Sequence, residues 1–246
     1  MSIPSVREQK DPREVRPEGI IQQFVNFQFF RVLPEWRRLS EAEKKKGREE
    51  FTGVVRRYQE KMIVLGYSLL GLRPDAEFML WRISERLEDF SDMSSELLKT
   101  ELGKYIQIPY SYLSLTKRSM YVDKHKHPGQ ESSRSRIIPG ESQYLFVYPF
   151  VKTREWYLLP KERRQEMMDR HIGIGHKYPS VKINTTYSFG LDDQEFVLGF
   201  ETSSPHDFLD LVMELRETEA SRFTVRDTPI FTCVRGEISK ILESLG

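Results

Sequence analysis

YSLLGLRPDAEF, residues 67–78, and YSFGLDDQEF, residues 187–196, both open on Tyr-Ser, turn on Gly-Leu and close on Glu-Phe. Tyr67-Ser68 falls on Tyr187-Ser188 at an offset of 120. After small gaps, Gly71-Leu72 falls on Gly190-Leu191, and Asp75, Glu77 and Phe78 fall on Asp193, Glu195 and Phe196. Upstream, Glu35-Trp36 meets Glu155-Trp156, Leu39 meets Leu159, Gly53 meets Gly173 and Tyr58 meets Tyr178. Downstream, Phe90 meets Phe208, Glu96-Leu97 meets Glu214-Leu215, and Thr100-Glu101 meets Thr218-Glu219. Single identities are cheap, but their shared order and near-constant offset argue for an internal duplication.

Both copies have one rhythm. An apolar run (20–32 and 144–151) precedes a charged helix (about 40–58 and 160–178). Two strand-like segments around the Gly-Leu turn follow (62–83 and 181–201), then a second helix (87–104 and 205–219) and a last strand (108–115 and 228–234). That order, β-α-β-β-α-β, predicts an α+β fold of tandem ferredoxin-like repeats over 19–116 and 144–246. Their sheets can merge back to back or edge to edge, with cavities between sheet and helices. Residues 1–18 read as a loose, charged arm, and 117–143, rich in Lys, Ser, Gly and Pro, as the linker.

The bulk composition excludes more than it suggests. Lys plus Arg (38) nearly cancels Asp plus Glu (37), so no general attraction to nucleic acid or anionic membrane is expected. The one cysteine, Cys233, rules out an internal disulfide and suits a reducing compartment, so the chain is expected to be cytoplasmic. No apolar run reaches the length of a membrane span, and none has the form of a secretory signal. Lys44-Lys45-Lys46 reads as a solvated helix face. No phosphate loop or nucleophile elbow occurs; Gly173 and Gly175 fall inside a helix.

The duplication supplies an internal control. Residue types kept in both copies, such as Trp36 and Trp156, are explained by shared packing. Positions that differ point to added chemistry, and these fall in the second copy. His171 replaces Phe51, Tyr148 replaces Gln28 and Lys152 replaces Val32. Met167, His171, Ile174 and Tyr178 form a helical stripe, which puts an imidazole where packing asks for an apolar group. It is either a core histidine with a satisfied hydrogen bond or a ligand aimed into a cavity; a neutral imidazole on a rigid helix suits haem iron. Zinc fits poorly, because His176, five residues on, points elsewhere and no other ligand completes a set. His125 and His127 read as a pair in the linker. In YLFVYPFVK, Tyr144, Phe146, Tyr148, Phe150 and Lys152 share one strand face, and Pro149 marks an edge or bulge. Tyr148 and Lys152 could serve radical or proton chemistry and an anionic group, or simply end an amphipathic strand. Arg134, Arg136, Arg216 and Ser221 are candidate carboxylate binders that spacing alone does not separate from surface residues.

The run VYPFVKTREWYLLPKERRQEMMDRHIGIGHKYPSV, with NTTYSFGLDDQEFVLGFE and LVMELRETEASRFTVRDTPIF, resembles the chlorite dismutase family of haem proteins. Within it, the likeness is greatest to coproheme decarboxylases of the actinobacterial type. It is dense from about Tyr144 to Cys233 and thinner over the first copy. The resemblance implies a dimeric α+β barrel assembled as a pentamer. It also implies haem b synthesis from iron-coproporphyrin III (coproheme) by two peroxide-dependent oxidative decarboxylations of propionates to vinyls.

By that resemblance His171 matches the iron ligand, Tyr148 the tyrosine that becomes the attacking radical, and Lys152 a lysine facing a propionate. Arg136 matches a propionate-binding arginine, with Arg134 as the substitute if the linker is gapped differently, and Ser221 a serine that bonds another propionate. Ile183, followed by Asn184-Thr185, stands at the distal position, where chlorite dismutases carry Arg. An alkyl group there offers no donor to chlorite, which favours decarboxylation over dismutation. The segment from His171 to Ile183 is one residue shorter than the family pattern, and the distal His of the actinobacterial type has no clear counterpart beyond His125 or His127. Chlorite dismutase or haem peroxidase activity, and a non-enzymatic haem carrier or sensor, are the competing expectations.

Overall fold

The computed structural model describes residues 22–117, 119, 121 and 136–246. The predicted arm and the linker positions His125, His127 and Arg134 lie outside them. In the first half, β1 (Phe24–Val32), α1 (Glu41–Gln59), β2 (Ile63–Ser68), β3 (Phe78–Ser84), α2 (Glu88–Lys99) and β4 (Ile106–Leu115) follow the predicted order. The second half runs β5 (Tyr144–Lys152), α3 (Arg154–Leu158), α4 (Lys161–Gly175), β6 (Lys182–Tyr187), β7 (Phe196–Thr202), α5 (Pro205–Arg216), β8 (Thr224–Arg226), β9 (Phe231–Gly236) and α6 (Ile238–Glu243).

Eight strands of this mixed fold form an antiparallel sheet in the order β7-β6-β4-β1-β3-β2-β9-β5, and a β5–β7 ladder closes it into a ring. Strand alternation then assigns each residue to one of two cores. Val25, Phe27 and Phe29 of β1, Met79, Trp81 and Ile83 of β3, and Leu145 and Val147 of β5 share the core enclosed by the ring. The intervening residues face outward beneath helices: Phe30, Phe78 and Leu80 under α1 and α2, and Phe146, Tyr148 and Phe200 under α4 and α5. Pro149 is tolerated inside β5 because Phe150 turns its carbonyl toward Glu195 at the β7 side. The Pro149 nitrogen therefore points the other way, at the gap where the partner changes from β9 to β8.

The matched residues do matched work. Gly71 and Gly190 adopt φ of 76° and 72°, a conformation that disfavours other residues, and so permit both Gly-Leu turns. Glu77 Oε2 accepts the Val32 backbone N–H at 2.7 Å, and Glu195 Oε2 accepts that of Lys152 at 2.8 Å. Tyr58 donates to Glu96 and Tyr178 to Glu214, tying the helices of each half together. Trp36 and Trp156 are both buried. The expected solvated face at Lys44-Lys45-Lys46 is corrected at its first member: Lys44 is buried and pairs with Glu41, while Lys45 and Lys46 are exposed.

The two halves meet at β2–β9 and, more thinly, at β4–β6, where Leu115 and Tyr187 form the one paired position. Side chains replace the missing ladder there: Thr186 bonds Ser114 at 2.7 Å, and Asp192 Oδ2 accepts from the Leu113 backbone at 2.8 Å and from Gln194 Nε2 at 2.9 Å. Asp192→Ala strands the Leu113 amide, while Gln194 Nε2 keeps Ser188 Oγ at 3.2 Å. It is expected to lower stability by about 1–3 kcal/mol, read as a drop in urea midpoint at constant slope.

Candidate functional site

The second half's outer face has a sheet floor and a helical roof. The floor is built from β5, β7 and β6, where Phe146 pairs with Phe200 and Phe200 with Ile183 across neighbouring strands. Tyr148 is buried on it and stacks on Phe200 with centroids 5.6 Å apart. Its hydroxyl has no hydrogen-bond partner among the described residues, and burial raises its pKa well above the usual phenol range, so the phenol is neutral.

The roof is α4, which ends at Gly175, earlier than the periodicity predicts; Tyr178 sits one turn beyond and donates its backbone N–H to Gly175. The predicted stripe divides. Met167 packs with Trp156 and Ala220, whereas Ile174 and Tyr178 pack against the cluster that includes Tyr148. His171 lies between Met167 and Ile174 along the helix. It is half-buried, no described residue hydrogen-bonds its ring, and burial, with the Lys152 charge nearby, pushes its pKa down to about 4. The imidazole is thus neutral at physiological pH, and no nitrogen of it is spent on a partner among the described residues. Among the described residues no group of three or more His, Cys, Asp or Glu gathers to hold a bare metal ion.

Lys152 closes one end. Its Nζ donates to the Ala220 carbonyl at 3.2 Å and lies 4.2 Å from the Trp156 ring centroid. Burial pulls its pKa down to about 8, partly opposed by Glu195. Trp156, read from sequence as packing alone, is therefore also the shelf under this ammonium. Ile183 is 44 % exposed on the floor, and its Cδ1 lies 3.7 Å from where a Cβ on Gly175 would sit. Ile183 therefore faces the roof that carries His171.

The remaining candidates sit further out. Ser221 Oγ lies 2.7 Å from the carbonyls of both Arg216 and Thr218. Arg216 pairs with Asp227 at 2.8 Å; both charges act on Tyr148. Arg136 is exposed and pairs with Glu85, just after β3, so its contacts do not join the His171 group. Glu195 and Asp227 were not singled out by sequence reasoning, although the match of Glu195 to Glu77 marks it as a residue both halves need.

A family model described as Chlorite dismutase matches residues 44–236, and the chain belongs to that family. It is 33 % identical over 205 residues to a protein named coproheme decarboxylase from Mycolicibacterium smegmatis, covering 80 % of this chain and 84 % of the relative. A mutant chlorite dismutase from Candidatus Nitrospira defluvii superposes with a TM-score of 0.83 at 26 % identity, over 90 % of this chain and 94 % of the other. A haem-binding protein from Thermus thermophilus shares the fold, with a TM-score of 0.79 at 22 % identity over 91 % and 94 % of the two chains.

Proposed function

We propose that the chain is a coproheme decarboxylase, converting iron-coproporphyrin III to haem b with hydrogen peroxide. In this reading its halves are ferredoxin-like repeats (19–116 and 144–246) of a dimeric α+β barrel, assembled as a cytoplasmic homopentamer. The supporting observation is His171: a neutral imidazole with no hydrogen-bond partner among the described residues, on a roof helix facing a floor that bears a buried phenol. Those residues fit an iron tetrapyrrole, because the ring nitrogen is available to the metal without first losing a proton.

Once bound, the iron centre supplies the site of peroxide reduction and hence the oxidising equivalents. The chain's part is ligation, orientation and one hydrogen transfer. His171 holds the metal. Lys152, on its aromatic shelf, presents its ammonium to one propionate. Ser221 binds another by giving up a carbonyl partner, and Arg136 by leaving Glu85. Tyr148, oxidised to the phenoxyl radical, takes a hydrogen atom from a propionate held beside it. That side chain then loses an electron and carbon dioxide and becomes a vinyl, while one peroxide per propionate is reduced to water. Ile183 contributes a surface without hydrogen-bond donors.

Coproheme with peroxide, followed by absorbance and mass spectrometry, is expected to show loss of two carboxyl groups. Oxygen release from chlorite without that loss would favour a chlorite dismutase. Binding with no turnover would favour a carrier or sensor.

A further inference from the structure

The first half has the same floor and roof, with different chemistry between them. Asn26 pairs with Arg82 across β1 and β3 where Phe146 pairs with Phe200 across β5 and β7. Gln28 stands at the place of Tyr148, and Ser94 of α2 at that of Val212. In the second half this region is filled by rings, with Phe146 and Phe208 stacked at 4.0 Å. In the first half it is a cavity of about 280 Å³ whose lining includes Asn26, Gln28, Arg82, Ser91, Ser94 and Ser111.

Arg82 is 2 % exposed, and among the described residues no carboxylate pairs with it. Its Nε and Nη2 share Asn26 Oδ1, at 3.2 and 2.7 Å, and its Nη1 reaches Ser94 Oγ at 2.9 Å and the Phe90 carbonyl at 3.3 Å. These four bonds leave one Nη2 hydrogen of the guanidinium uncommitted. Ser94 and Ser111 accept hydrogen bonds, from Arg82 and Asn26, so each hydroxyl proton stays free to be donated. Gln28 Oε1 is buried with no partner. A buried cation without a counter-ion is costly, and an apolar filling of the same place exists in the same molecule. The arrangement therefore has donors and one positive charge in excess, an orphan acceptor, and an apolar wall from Leu87, Phe90 and Leu113.

We propose that this cavity is a separate binding site for a small oxyanion, best matched by a short-chain monocarboxylate. The carboxylate completes the guanidinium fork of Arg82 and takes the hydroxyl protons of Ser94 and Ser111, while its alkyl end lies on the apolar wall. A hydroxyl or water carried in with it satisfies Gln28. The site does not depend on the tetrapyrrole reading.

Equilibrium dialysis of the full-length protein against labelled propionate tests it. One saturable site per chain is expected, weakened about tenfold or more by Arg82→Met. Since that change also cuts ties to α2, Ser91→Phe provides the independent arm: at an exposed helix position on the rim, it blocks entry and leaves Arg82 in place, and the same loss is expected. Lys45→Met, at an exposed position of α1, should leave propionate binding unchanged. Competition by inorganic phosphate at the same site would support the oxyanion class. Absence of saturable binding, binding that survives Ser91→Phe, or binding of phosphate without propionate would each overturn the proposal.

Discussion

His171→Ala is expected to remove axial ligation of coproheme: the imidazole-bound absorbance and electron paramagnetic resonance signatures vanish. Affinity should fall at least about tenfold to a hundredfold, the range already seen when only a supporting residue of a metal ligand is lost. The physical basis is that the ring is half-buried and neutral and makes no hydrogen bond among the described residues. The tetrapyrrole-free protein offers a second readout. An unfolded histidine takes up its proton near pH 6.5 and the folded one only near 4, so between these values the unfolded chain binds more protons. Stability is full above that window and falls as pH drops through it, a slope that His171→Ala flattens. Unchanged pigment uptake and unchanged iron spectra in the variant would sink the assignment.

What could be read from the sequence was whatever both halves need. The glycine that turns at positive φ, the glutamate that receives a β5- or β1-end amide, and the tyrosine-glutamate tie between helices recur because each solves a local backbone or packing problem that arises twice. The order of elements followed from that recurrence. Closure of the ring did not, because the β4–β6 seam rests on one ladder position and on Asp192, Thr186 and Ser114, whose side-chain bonds leave no periodic trace. Helix α6 was passed over although Ile238, Ile241, Leu242 and Leu245 carry a helical stripe; it has no counterpart after β4 in the first half and packs on the core under α1. The residues that differ between halves, His171, Tyr148 and Lys152, lie on the outer face of the second half, which carries the proposed site. Arg136 and Ser221 came from resemblance alone. Their partners, Glu85 and two backbone carbonyls, depend on distant folding that a single sequence does not display.

Tyr148→Phe is expected to bind coproheme as the parent does and to release no carbon dioxide and no vinyl product under peroxide. The substitution deletes one oxygen atom that no described residue hydrogen-bonds, while the ring keeps its stack on Phe200, so stability should move by no more than about 1 kcal/mol. Loss of product in a stable, pigment-binding variant therefore isolates the hydroxyl. Burial sets which chemistry that hydroxyl can do. With its pKa raised, the phenol holds its proton throughout the working range and makes a poor phenolate nucleophile or base. Losing a proton and an electron together avoids creating a buried phenolate, and the resulting neutral radical carries no charge that the apolar floor must solvate. The stack on Phe200 orients the ring on the floor. If Tyr148→Phe still forms haem b from coproheme and peroxide, hydrogen transfer runs through another group and Tyr148 is only part of the floor.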